Sequence, residues 1–302
     1  MELDRIDTEK ANPATLRIDE ESTEGIVRLI NEQDHLIAPA VARVLPQIAQ
    51  AVDLIYAQLS SGGRLVYLGS GTSGRLGVLD AVECPPTFGV DPGLVVGLMA
   101  GGSSAFVQAK EGAEDDREAG AEDLRQINFG AADALVGIAA SGRTPYVLGG
   151  MAYAASLGAP VIGLACTANA ALSEFTRVTI APLCGPEVIT GSTRMKSGTA
   201  QKMVLNMLST AVMIKLGKVW GNLMVDVKAT NQKLVQRAVN IIKETCGVTE
   251  GEAEDALQHC GGNCKKAIMC IKCGISNEQA QEALDKAGGR IAEALKACGV
   301  DR

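Results

Sequence analysis

The chain has 302 residues, of which 47% are hydrophobic and only 3% aromatic, enough for one large core of Ala, Val, Leu and Ile plus a small extra domain. Its 28 basic and 35 acidic residues give a formal charge of −7, which argues against nucleic acid or an anionic membrane surface as a partner. No apolar stretch reaches the roughly 18 residues of a membrane helix. The first 22 residues are polar and lack a signal peptide's apolar centre, so a cytoplasmic location with reduced thiols is expected.

Residues 1–22 read as an N-terminal arm, either a frayed tail or a segment packed on a partner subunit. Helical spacing of apolar residues follows at 24–31 and 37–59, with Pro39 and Pro46 as starts or kinks and Gly62–Gly63 as a stop. Short apolar runs at 64–68, 94–99, 134–139, 160–164 and 177–181 then read as buried strands. Helical segments near 73–82, 104–114, 145–156 and 170–175 separate them. This alternation predicts an α/β fold: a five-stranded parallel sheet with right-handed crossovers and helices on both faces. Long helices are expected over 193–216 and 227–245. From Cys246 the character changes, with six of the nine cysteines and several short helices. Thr249 with Glu252 and Ser276 with Gln279 fit capping boxes, and glycines at 261–262, 274 and 288–289 act as stops. The domains read as 23–246 and a small helical domain at 247–302.

One loop design occurs twice. LVYLGSGTSG ends the first strand at 65–74, and LVGIAASGRT ends the third at 135–144. The first offers Ser70, Thr72 and Ser73; the second offers Ser141, Gly142, Arg143 and Thr144. Hydroxyls and free backbone N–H groups at a helix start make a place for a phosphate. Thr144 before Pro145 also fits a helix start with a hydroxyl N-cap. A nucleotide fits poorly. No Gly-Lys-Ser/Thr follows either loop, and although Gly69, Gly71 and Gly74 match the letters GxGxxG, the second strand ends in LMAGG without the ribose-binding acid.

Two acids stand out. Glu83 precedes Cys84-Pro85-Pro86, where the helix is expected to end, so the helix dipole should raise its carboxyl toward a proton donor's range. Glu114 lies in the acidic run EGAEDD, which reads equally as a solvated face. The segment GPEVITGSTRMKSGTAQK at 185–202 gathers hydroxyls, Ser192 among them, with Arg194 and Lys196 at a helix entrance. His259, Cys260, Cys264, Cys270 and Cys273 have a zinc-like look, but their one-turn spacings among apolar neighbours favour buried thiols. With only two histidines, carboxylates are the better acid–base candidates.

The segments LGSGTSGRLGVLDAVECPPTFG, EGAEDDRE, GIAASGRTPYV and GPEVITGSTRMKSGTAQKMVLNMLST resemble the N-acetylmuramic acid 6-phosphate etherases of the sugar-isomerase (SIS) superfamily. The last segment is also similar to a signature of the glucokinase regulatory protein. The resemblance runs from about Ile18 to the C-terminus and is least distinctive in the cysteine-rich tail. It implies the substrate N-acetylmuramic acid 6-phosphate, the products N-acetylglucosamine 6-phosphate and D-lactate, a place in cell-wall sugar recycling, no cofactor or metal, and a homodimer with shared active sites. It also implies a ubiquitin-associated-like tail domain, Glu83 as proton donor and Glu114 as the second active-site acid. An aldose–ketose phosphosugar isomerase and a non-catalytic phosphosugar sensor remain as rival readings.

Overall fold

The structure is a computed structural model that describes residues 7–108, 110–227 and 232–300. The chain forms two compact units, Met1–Val82 with Gly93–Ser209, and Glu83–Pro92 with Thr210–Arg302.

The first unit is built on five strands, β1 (Leu65–Gly69), β2 (Val95–Met99), β3 (Ala134–Ile138), β4 (Val161–Leu164) and β5 (Val178–Ile180). All pair in parallel, in the order β2-β1-β3-β4-β5. Every residue of β1, β3 and β4 is buried, as expected for a sheet covered on both faces. Leu65, Leu68, Leu135, Ile138 and Leu164 are 0% exposed, and each such side chain contributes about 1.5–3 kcal/mol of burial.

Helices α1 (Thr23–Asp34), α2 (Ile37–Ala42), α3 (Leu45–Ser60), α4 (Gly71–Phe88), α5 (Arg117–Gln126), α6 (Pro145–Ser156) and α7 (Lys196–Lys215) accompany the sheet. The helix expected over 37–59 is two, because Pro46 opens α3 in its first turn and α2 closes at Arg43. The helix expected over 104–114 is only a 3-10 turn, Ser103–Phe106. Gly101, Gly102 and Gly112 adopt positive φ there, and the stretch 110–116 has only Ala113 to pack against the core. Helix α5 was not foreseen. Its inward face is little more than Gly120, Ala121 and Leu124, so it carries a weak apolar signal. Gly120 lies so close to α6 that a Cβ would meet the Tyr146 carbonyl at 2.0 Å.

Helix α4 also corrects an expectation, since it runs through Pro85 and Pro86 to Phe88. Cys84 and Phe88 bury their side chains on either side of the prolines, the Pro85 carbonyl accepts the Gly89 N–H at 2.9 Å, and Gly89 turns the chain at φ 66°. Two missing N–H donors do not stop a helix whose flanking residues are buried.

The arm at 1–22 is not a frayed tail in its described part, and residues 1–6 lie outside that part. It folds onto its own unit. Thr8 is 0% exposed, the Thr15 hydroxyl donates to the Val188 carbonyl at 2.8 Å, and Asn12 donates to Gln33 and to the Pro186 carbonyl.

The second unit contains α8 (Gln232–Cys246), α9 (Glu250–His259), α10 (Cys264–Cys273), α11 (Asn277–Lys286) and α12 (Ile291–Ala297). Of the helix expected over 227–245, residues 228–231 lie outside the described residues. Val239, Ile242, Leu257, Ile268, Leu284 and Leu295 share one core. The expected domain at 247–302 lies within this unit. Both expected capping boxes form, and Gly274 ends α10 in the left-handed region. The buried Lys265 ammonium has all three protons accepted, by Asp226 and by the Gly217 and Gly289 carbonyls. The Cys260 and Cys270 sulfurs lie 3.7 Å apart as free thiols, and burial pushes Cys264 up to about 12. Among the described residues no group of His, Cys, Asp and Glu is arranged to hold a metal ion, and no helix is long and apolar enough to cross a membrane.

Candidate active site

Strand order reverses around β1, with β2 on one side and β3 on the other. In parallel α/β sheets the crevice beyond the strand ends at such a reversal is where ligands bind. Gly69 pairs with Ile138, so β1 and β3 end level and their two loops open side by side. A cavity of about 340 Å³ lies there, lined by Ser70, Thr72 and Ser73 from the first loop and Ser141, Arg143 and Thr144 from the second.

The first loop is tight. Helix α4 begins at Gly71, one residue after β1. Gly71 takes φ 53°, and a Cβ on Gly74 would fall 2.7 Å from Met99 Cβ and 2.8 Å from the Gly69 carbonyl. The first N–H groups of an α-helix have no carbonyl one turn back, and the first residues of α4, Gly71, Thr72 and Ser73, line the cavity. The buried Ser73 hydroxyl is already committed, donating to Gln201 Oε1 at 2.9 Å. Below it, the Asp80 carboxyl is pushed up by burial, against hydrogen bonds from Tyr67 and Ser209 and the charge of Lys202.

The second loop is looser. Residues 139–144 separate β3 from α6, with Gly142 at φ 66° packed where a Cβ would meet Ala170 Cβ at 2.3 Å. Gly142 therefore shapes the loop and is not part of the cavity wall. Thr144 is the N-cap residue of α6, but its hydroxyl makes no cap hydrogen bond, contrary to the expectation. A donor of the first turn, the Tyr146 N–H, goes instead to the Glu114 carbonyl at 3.0 Å. That bond frees the Thr144 hydroxyl and fixes Glu114 beside the loop. Glu114 is exposed and lines the cavity, within the turn at 111–115 that leads to the Asp116 cap of α5.

The 185–202 segment acts mainly as a brace. Glu187 is 0% exposed and accepts the N–H groups of Lys196 and Ser197, both at 2.9 Å, which caps α7 and sets its start. Gly198 lets α7 approach the Thr72 methyl to 3.3 Å of a would-be Cβ. Thr193, not Ser192, lines the cavity.

Two acids in the wall were missed. Asp115 follows Glu114, and Glu9 arrives from the N-terminal arm, its carboxylate 3.1 Å from where Gly191 would carry a Cβ. No motif marks Glu9; only the arm's anchoring at Thr8, Asn12 and Thr15 reveals it. Glu83 is exposed on α4 and belongs to the second unit. It sits more than one turn before the end of α4, so the dipole argument for it lapses.

Against known proteins, 47–155 matches the N-terminal SIS domain of the glucokinase regulatory protein, and 221–260 matches that protein's C-terminal lid domain. An N-acetylmuramic acid 6-phosphate etherase 1 of Vibrio cholerae serotype O1 is 54% identical over 90% of this chain and 90% of its own. The chain belongs to the N-acetylmuramic acid 6-phosphate etherase family. A Shigella flexneri member is 56% identical over 90% of this chain and 91% of its own. The phosphoheptose isomerase of Neisseria gonorrhoeae aligns with 63% of this chain and 97% of its own, at 17% identity and TM-score 0.48.

Proposed function

We propose that the chain cleaves the D-lactyl ether of N-acetylmuramic acid 6-phosphate, giving N-acetylglucosamine 6-phosphate and D-lactate by elimination and then hydration, in cytoplasmic cell-wall sugar recycling. One observation carries the reading within this family: Glu114 shares a cavity with both hydroxyl loops. A phosphate received by the α4 N-terminus, Thr72, Ser141 and Thr144 holds the sugar in place, and such positioning supplies much of a catalyst's advantage.

Ring opening gives a C1 aldehyde and acidifies the C2 proton. Glu114 removes that proton, the C2–C3 double bond forms, and the C3–O bond breaks with its electron pair leaving on lactate. Glu83, assigned by the ECPPT resemblance, gives the lactate oxygen its proton. Water then adds at C3 and a proton returns to C2, so the net change is addition of one water across the ether. The scheme needs two carboxyl groups in opposite protonation states and no cofactor.

A homodimer whose sites draw on both protomers belongs to the same proposal. Leu16, Val27, Leu36 and Leu45 are exposed and offer apolar surface to a second copy.

The test is D-lactate release from N-acetylmuramic acid 6-phosphate in the presence of a chelator, repeated with Glu83→Gln and Glu114→Gln. Wild type should release lactate and both variants should not. Full release by either variant removes that residue from the scheme, and an interconverted sugar without lactate would mark an isomerase.

A further inference from the structure

A second cavity, of about 190 Å³, adjoins the first, and the two share Ser70, Gly71 and Glu114. Beyond those shared residues their walls differ. The first combines hydroxyls with Arg143, Glu9 and Asp115, while the second presents Arg75 and Lys110 with Glu111. Arg75 is pinned, its Nε donating to the Phe106 carbonyl at 2.9 Å and its Nη2 to the Ala105 carbonyl at 2.8 Å. Lys110 donates one proton to the Gly101 carbonyl at 2.8 Å. Its stem crosses Gly101 so closely that a Cβ there would lie 3.0 Å from Lys110 Cδ. An ammonium has three protons, so Lys110 keeps two for a ligand. Glu111 stands in the same wall, so recognition rests on direct donation from Lys110, with the Arg75 charge behind it, and not on an excess of positive charge.

The substrate of the proposed reaction is anionic at two ends, with a phosphate at C6 and a carboxylate on the lactyl group at O3. A base at C2 is one carbon from C3, so the lactyl group begins beside Glu114. The cavity that shares Glu114, and that takes only Ser70 and Gly71 from the hydroxyl loops, is where that group has room. We infer that the Arg75–Lys110 cavity is the subsite for the lactyl carboxylate, with Lys110 its donor, and hence a determinant of the choice of ether over plain sugar phosphate. The inference rests on the etherase reading.

The experiment compares Lys110→Met and Lys110→Arg with wild type on two substrates and one ligand. The substrates are N-acetylmuramic acid 6-phosphate and its lactamide analogue, which is neutral at that end; the ligand is N-acetylglucosamine 6-phosphate, which lacks the lactyl group. Wild type should favour the carboxylate over the amide. Lys110→Met should lower kcat/KM on the carboxylate about tenfold or more, through the loss of a charge-assisted hydrogen bond, and should lose the preference. Its affinity for N-acetylglucosamine 6-phosphate should be unchanged, and Lys110→Arg should keep the preference. A Lys110→Met protein that binds N-acetylglucosamine 6-phosphate as poorly as it turns over the ether, or that still favours the carboxylate as wild type does, overturns the subsite. Either failure leaves wild-type lactate release intact, whereas an absence of wild-type release overturns the etherase reading and the subsite with it.

Discussion

The two hydroxyl loops share one design, an apolar strand running into a Gly/Ser/Thr turn, and differ in what they leave available. In the first, α4 starts one residue after β1, Gly74 is wedged against the Gly69 carbonyl, and Ser73 is bonded to Gln201. Its contribution is backbone N–H at a fixed point. In the second, six residues separate β3 from α6, and the Glu114 carbonyl takes a donor that Thr144 was expected to satisfy. Its contribution is the Thr144 hydroxyl, which makes no cap bond, and the Ser141 hydroxyl, whose oxygen accepts only a long bond from the Arg143 N–H at 3.4 Å. One motif thus yields a rigid donor cradle and an adaptable pair of side chains, and the carbonyl that makes the difference belongs to a proposed catalytic residue.

That contrast can be broken most strongly at Gly74. Gly74→Ala puts a methyl 2.7 Å from Met99 Cβ, and overpacking of this kind should cost about 3 kcal/mol, read as a lower denaturation midpoint. Next is Ser73→Ala, which removes the partner of a buried Gln201 and should cost about 1–2 kcal/mol in the same measurement. Thr144→Val should behave in the opposite way. With no cap bond to lose, its midpoint should match wild type, while KM for the sugar 6-phosphate rises about tenfold through one lost hydrogen bond to a charged group. Equal stability losses at Ser73 and Thr144 would erase the distinction between the loops. The smallest effect is expected at Glu9, where Glu9→Gln should raise KM about threefold with an unchanged midpoint, placing the arm's carboxylate in the ligand shell.

Much of the sheet was legible because buried parallel strands are short apolar runs, and all five lie within a residue or two of their expected bounds. The capping boxes were legible because they are local chemistry. What escaped depended on contacts distant in sequence. Helix α5 hides behind charged residues because α6 needs only Gly120 and a few neighbours from it. The prolines of α4 were read as a stop, but burial of Cys84 and Phe88 carries the helix past them. Within the site, the loops and Glu114 were read from pattern and resemblance, and the structure gathers them in one cavity. Glu9 was illegible because the arm is polar and its place is fixed by hydrogen bonds to residues more than 170 positions away, at Pro186 and Val188.

The most direct test of the loops-plus-Glu114 site is solvent deuterium exchange at C2 of N-acetylmuramic acid 6-phosphate, followed by NMR at saturating substrate. Wild type should exchange, Thr144→Val should exchange at a comparable rate once saturated, and Glu114→Gln should not exchange at all. Exchange by Glu114→Gln at the wild-type rate would contradict its role as the base held beside the phosphate loops.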